Sequence, residues 1–394
     1  MYIGFREKIV LISLAAIALL SYALFNWFGL GARPGDYAYK LEASRRTLAA
    51  ENAIGDAKGT DPVAMQVAGD DVQAAMIGLS TSAITTDPGS LRSKVTSTNP
   101  NFAGAIVSML RQAGVGKGDV VAVSYTGSFP ALDISTITAT ETLGAEPIII
   151  SSVGASTWGA NDPELTILDM ESLLFQKGII AHKSVEASIG GDFQTHPLTS
   201  EGRKLVNDAM KRNGVPLSSA LNIRDSVDMH MATYRRIADG RAIKAFVNVG
   251  GGLASKGIGG SFDPGLNVAT PGGDIVSGGL IERMQNEGVP AINLVDIKKL
   301  AGQYELPVNP PTTPDVGQGG LYRDWLQLRI VAGLLVLALA GVYFAARFVV
   351  LAPAAGEAVD TYFGTAPRTF RAWIRSFGVR WPLRPVPQES PIED

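Results

Sequence analysis

The sequence predicts an α/β fold: a parallel, Rossmann-like sheet in one large extracytoplasmic domain, flanked by two transmembrane helices. Three observations carry this. Short apolar runs bounded by Gly and Pro recur through the middle of the chain. Helical patterns alternate with them. Two uncharged apolar stretches, Ile9–Ala32 and Ile330–Ala346, bracket the whole. Continuous apolar runs suit strands covered on both faces. Strands that alternate with helices define the α/β class. A span needs about 20 apolar residues.

Taken in order, residues 1–8 form a cytoplasmic N-terminus and 9–32 the first span, with Tyr22 and Trp27 in its second half, where aromatic rings favour an interface. Residues 33–305 form the α/β domain. Tyr37–Ala57 reads as a helix. Asn99-Pro100 opens another through Gln112, with Gly114 as its stop. Strands are expected at Val120–Ser124, Pro147–Ser152, Ile179–His182, Ala245–Val249 and Pro290–Val295. Between them lie helical patterns at Phe129–Leu143, from Asp162-Pro163 to Phe175, at Leu198–Arg212, at Ser218–Asp239 and at Gly279–Asn286. Residues 306–327 form a Pro- and Gly-rich tether. Residues 328–352 hold the second span and 353–394 an Arg-rich cytoplasmic tail.

Arg6 and Lys8 precede the first stretch, while Arg347, Arg368, Arg371, Arg375, Arg380 and Arg384 follow the second. The positive-inside rule then expects both termini in the cytoplasm and the main domain outside. The tail's Phe370, Trp373, Phe377 and Trp381 lie among its arginines, which fits an anionic lipid surface better than nucleic acid.

The chain has no cysteine, which excludes disulfides, thiolate nucleophiles and Cys-ligated metals. Its net charge of −3 gives no basic field for a large polyanion. In open α/β sheets the sites form beyond the carboxyl ends of the strands, and three such loops hold the candidates. In SYTGSFPALD, Gly127 and Ser128 fall at a helix start; Ser128 either caps that helix or belongs to a site. In SSVGASTWGANDPELTILDMES, Trp158 either stacks on a ligand or seals the core. Asp162 and Glu164 suit a helix N-terminus. Asp169 and Glu171 are open as surface residues, a metal pair or an acid–base pair. In NVGGGLASKGIGGSFDPG, Asn248, Gly250, Gly251 and Gly252 build backbone that approaches something closely. The dinucleotide fingerprint is broken there, since Ser255 stands where a third Gly belongs. No G-x-S-x-G elbow or phosphate-binding P-loop occurs, and His182, His196 and His230 show no metal spacing. A Ser128–His196–Asp arrangement stays open, because triads are defined by geometry. No cofactor is called for, with room left only for a divalent metal.

The strings GVGKGDVVAVSYTGSFPALD, SSVGASTWGANDPELTILDMES, SIGGD and FVNVGGGLASKG resemble the poly-gamma-glutamate system protein family, in order, from about Thr85 to Val295. The resemblance implies a bacterial cytoplasmic-membrane accessory subunit for synthesis and export of this anionic capsule polymer. It would be non-catalytic, partnering the poly-gamma-glutamate ligase and its small membrane subunit and handling the emerging chain. The competing expectation is an extracytoplasmic hydrolase that trims or releases the polymer. The family brings no catalytic residues with it.

Overall fold

A six-stranded sheet, with all but its last strand parallel, organises the middle of the chain. The structure, a computed structural model, describes residues 14–19, 35–59, 62–191 and 198–323, with short pieces between 332 and 343. Residues 32–325 form one compact unit; residues 1–31 with 326–394 form another.

The larger unit opens with a long helix, α1 (Tyr37–Lys58), then α2 (Pro62–Val67), α3 (Asp71–Met76), α4 (Leu91–Ser97) and α5 (Phe102–Gln112). The sheet follows as β1 (Val120–Thr126), α6 (Pro130–Thr142) and β2 (Glu146–Ser152). A two-residue hairpin, β3 (Asn161–Asp162) and β4 (Leu165–Thr166), leads into α7 (Ile167–Gln176) and β5 (Glu186–Ser188). Then come α8 (Ser200–Asn213), α9 (Ile223–Ala238), β6 (Ile243–Val249), α10 (Leu253–Lys256), β7 (Gly265–Asn267), α11 (Leu280–Asn286), β8 (Ala291–Leu294) and α12 (Ile297–Gln303).

The strand order is β5-β2-β1-β6-β8-β7, and only β7 runs antiparallel. Side-chain alternation gives each sheet face its own core. Val121, Val123, Tyr125, Ile149 and Val247 join the helices α1 and α5–α8 on one face. Val120, Ala122, Ile148 and Phe246 meet Val227, Met231 and Tyr234 of α9 and Leu280 and Ile281 of α11 on the other. Period-two burial on both faces is what a covered strand requires. α6 is buried along almost its whole length even though it is rich in Ser and Thr. Thr136 and Thr140 hydroxyls donate to the carbonyls of Leu132 and Thr136, at 2.8 Å each, and so satisfy themselves.

Four expectations change here. Ile179–His182 is not a strand. The Ile179 N–H donates to the Leu174 carbonyl at 2.9 Å, closing α7, and His182 Nδ1 lies 2.9 Å from Glu141. Asp162-Pro163 opens no helix. The Asn161 amide is pinned to Leu79 and Thr85, and α7 starts later, at a Thr166–Asp169 capping box. The Pro- and Gly-rich segment after Leu306 lies against the domain. Gln73 donates to the Pro310 carbonyl at 3.2 Å, Thr313 bonds Asp70, and the buried Tyr322 hydroxyl sits 2.8 Å from Ser44 Oγ and 2.7 Å from Asn101 Oδ1.

The fourth is the localisation. Among the described residues no helix is long and apolar enough to cross a membrane. The two-span topology, with cytoplasmic termini and the main domain outside, is therefore not supported. Most of Ile9–Ala32 and of Ile330–Ala346, and the whole Arg-rich tail, lie outside the described residues.

Candidate functional site

From β1 the chain steps outward through β2 to β5, then returns to β6 on the other side of β1. Loops leaving neighbouring strands in opposite directions open a crevice at such a reversal. A cavity of about 650 Å³ lies there. Its wall comes from the carboxyl ends of four strands and the loops beyond them: Ser124–Thr126 with Ser128 and Phe129, Ser151 and Ser152 with Gly154 and Ser156, Ser188–Gly191, and Gly251–Ser255.

Each loop is fixed from beneath. Asn248 is buried; its amide donates to the Gly250 carbonyl at 3.0 Å and to Asn293 Oδ1 at 2.8 Å. Gly250 takes φ +84°, and a Cβ there would lie 2.8 Å from Thr126 Oγ1, so both its conformation and its neighbour demand glycine. Ser255 Oγ donates to Ser124 Oγ at 3.0 Å, tying the start of α10 to β1. Ser128 does not cap α6. The N-cap is Phe129, with Pro130 at the first helical turn. This frees the Ser128 hydroxyl, which accepts the Ser156 N–H at 3.1 Å and so joins the β1 and β2 loops.

Lys94 of α4 lies under these two loops and is 1 % exposed. Its Nζ donates to the Ser128 carbonyl, sits 2.8 Å from Ser156 Oγ, and lies 4.0 Å from the centre of the Phe129 ring. Burial pulls its pKa down to about 7, against an opposing pull from Asp133. The Asp133 carboxylate is itself buried with no hydrogen-bond partner among the described residues. Burial first, then Glu171, pushes it well above the usual carboxylate range.

The far wall is polar and unsatisfied. Ser151 Oγ, Ser218 Oγ and both ring nitrogens of His230 find no partner among the described residues, and these residues are 2 %, 7 % and 4 % exposed. Burial lowers the His230 pKa, so the ring is neutral and offers one donor and one acceptor. Arg203 adds a cation at the wall, its Nε held by the Leu198 carbonyl at 3.1 Å. Buried polar atoms normally carry a bond. Several of them facing one cavity describe a ligand with matching donors and acceptors.

Of the residues singled out by sequence, Ser128, Gly251 and Gly252 line the cavity. Gly127, Asn248 and Gly250 build the loops behind them. The others have partners elsewhere. Trp158 packs beside Ile77 and Val95 in a satellite core. Asp162 Oδ1 accepts the Glu164 N–H in a turn at 2.9 Å. Asp169 pairs with Arg212 and Asn213, and Glu171 accepts from Ser184 and Tyr125 beneath the sheet. Asp169 and Glu171 therefore hold separate partners rather than one metal. Among the described residues no cluster of three or more His, Asp or Glu is placed to hold a metal ion. His196 lies outside the described residues.

Lys94, Ser151, Ser156, Arg203, Ser218 and His230 line or underlie this site without having stood out in the sequence as candidates for it. Ser156 stands in the Gly- and Ser-rich run after β2, which was a signal. Nothing around Lys94 marks it, because its burial depends on loops far along the chain.

Fold and cavity together define an α/β protein with a polar, serine-lined cavity where its strand order reverses. No family model, curated protein or solved structure matches the chain.

Proposed function

We propose that this chain is a working part of a poly-gamma-glutamate system, and that its cavity takes a segment of the polymer. One convergence supports the reading. The four strings that resemble that family, far apart in sequence, all send residues into the same cavity. The chemistry of the wall agrees. A γ-linked glutamate chain presents amides and carboxylates in regular succession. Ser151, Ser218 and neutral His230 match amides; Arg203 matches a carboxylate. Under this reading the partners are the polymer ligase and its small membrane subunit, with this chain as the accessory that handles polymer.

Calorimetric titration of the purified full chain with poly-gamma-glutamate of defined length tests it. Gly251 lines the cavity, and a Cβ there comes no nearer than 3.9 Å to another group, so Gly251→Leu adds bulk at the wall from a position with room for its Cβ. Binding by the native chain, weakened about tenfold or more (~1.4 kcal/mol) in Gly251→Leu, is expected. Absence of binding, or equal binding by the variant, overturns the reading. A second reading, in which the chain cuts the polymer, is favoured by the contact between Lys94 and Ser156.

A further inference from the structure

We propose that Ser156 is the nucleophile and Lys94 the general base of an amide hydrolase, acting on an acyl group held in the cavity. The inference rests on the polymer reading only for the identity of the amide.

Three features of the geometry carry it. Ser156 lines the cavity with its hydroxyl 2.8 Å from Lys94 Nζ, within reach for proton transfer. Lys94 is sealed from solvent beneath the loop, and its remaining directions are taken by the Ser128 carbonyl and the Phe129 ring. A neutral amine so placed donates to the carbonyl and turns its lone pair to Ser156. Finally, the serine is held in position. Its N–H is fixed by Ser128 Oγ, and Gly89 packs close by: a Cβ there would lie 2.7 Å from the Thr157 carbonyl and 3.1 Å from both Ser156 Oγ and Lys94 Cε. Desolvation supplies the free amine, since a lysine near 7 is largely unprotonated above that pH. Asp133 of α6 is the charged group acting on Lys94; Glu171 of α7 acts in turn on Asp133.

The reaction balances with water as co-reactant. Lys94 Nζ takes the Ser156 hydroxyl proton as Oγ bonds to the amide carbon. The C–N bond breaks, and the Lys94 proton leaves on the amine. Water then attacks the Ser156 ester, giving a proton to Lys94 that returns to Oγ as the ester bond breaks. The products are a carboxylic acid and an amine. Both enzyme groups end as they began. The unpartnered Ser151, Ser218 and His230 hold the substrate's neighbouring polar groups.

A fluorophosphonate probe on the purified full chain, with the adduct mapped by mass spectrometry, gives the test. The expected result is an adduct on Ser156 whose rate rises with pH about a midpoint near 7. It is absent in Ser156→Ala and slowed about 100-fold or more in Lys94→Met. Should Lys94→Met not fold, the pH profile of the native chain and Ser156→Ala still decide. No adduct on Ser156 between pH 6 and about 9, or an adduct on Ser128 instead, overturns the assignment. A parallel incubation with poly-gamma-glutamate counts newly released amines. Amine release lost in Ser156→Ala supports both proposals. An adduct on Ser156 with intact polymer upholds the serine chemistry and removes the polymer as its substrate. Polymer that binds while Ser156 stays unlabelled and the chain uncut overturns the hydrolase and leaves the polymer reading standing.

Discussion

Lys94 Nζ stands 2.8 Å from Ser156 Oγ although the two residues belong to different elements, one on a helix before the sheet and one in the loop after β2. The contact joins a lysine sealed from solvent to the wall of the cavity, and the first prediction follows from that lysine's pKa. Below about 7 both folded and unfolded chains hold the Lys94 proton, and the burial cost is present in full. Between about 7 and the ordinary 10.5 the unfolded chain holds a proton that the folded one has lost. Stability therefore rises with pH across that window. Chemical denaturation at several pH values, native against Lys94→Met, should show this rise in the native chain and a flatter profile in the variant. Within the window the gain is ~1.4 kcal/mol at most for each step of one in pH.

Asp133 works in the opposite sense. Its folded pKa is raised, so the unfolded chain loses its proton first and stability falls as pH climbs above the usual carboxylate value. Asp133→Asn keeps the shape and removes the titration. The variant should match or exceed native stability at neutral pH in thermal melts. It should also lower the midpoint of Ser156 labelling, because Asp133 is what holds the Lys94 pKa up.

Gly250→Ala should destabilise the domain by ~1–3 kcal/mol. Its φ of +84° and a 2.8 Å approach to Thr126 Oγ1 leave an alanine neither conformation nor space. Thermal melting reads the loss. Gly251→Leu, in the same loop but facing open space, should melt close to the native chain.

Asp169 belongs to structure and not to the cavity. Burial pushes its pKa up, but hydrogen bonds from Arg212, Thr166 and Asn213 outweigh that and hold it below the usual value. Its contribution is present above the ordinary aspartate pKa and is lost as pH falls through the lowered one. Asp169→Ala should cost ~1–2 kcal/mol through the capping box and the ion pair. Polymer binding should be unchanged in the titration above.

The segment after Leu306 provides the last prediction. Tyr322→Phe removes two buried hydrogen bonds, to Ser44 and to Asn101, and leaves both partners short of a bond. A loss of ~1–3 kcal/mol is expected, with faster protease cleavage between residues 306 and 323.

Much of the sheet was legible because burial on two faces writes continuous apolar runs. Val120–Ser124 and Ala245–Val249 read as strands and are strands. β7 was not legible, since three residues at a sheet edge leave no period. Ile179–His182 misled because its apolar pair serves to close a helix. Asp169 looked like a candidate acid because its partner, Arg212, comes more than forty residues later. The apolar stretches at the ends read as spans on hydropathy alone, and among the described residues no helix of that length and character is present.

By itself, then, the sequence determined the α/β class, the central strands and the Gly- and Ser-rich loops at their carboxyl ends. These are local properties, set by apolar runs, turn residues and chain stiffness. The tertiary structure alone decided which loops share a cavity and which lysine is buried against which serine. Lys94 and Ser156 are ordinary residues in sequence. They become a pair only when the loops after β1 and β2 close over α4 and bury the lysine.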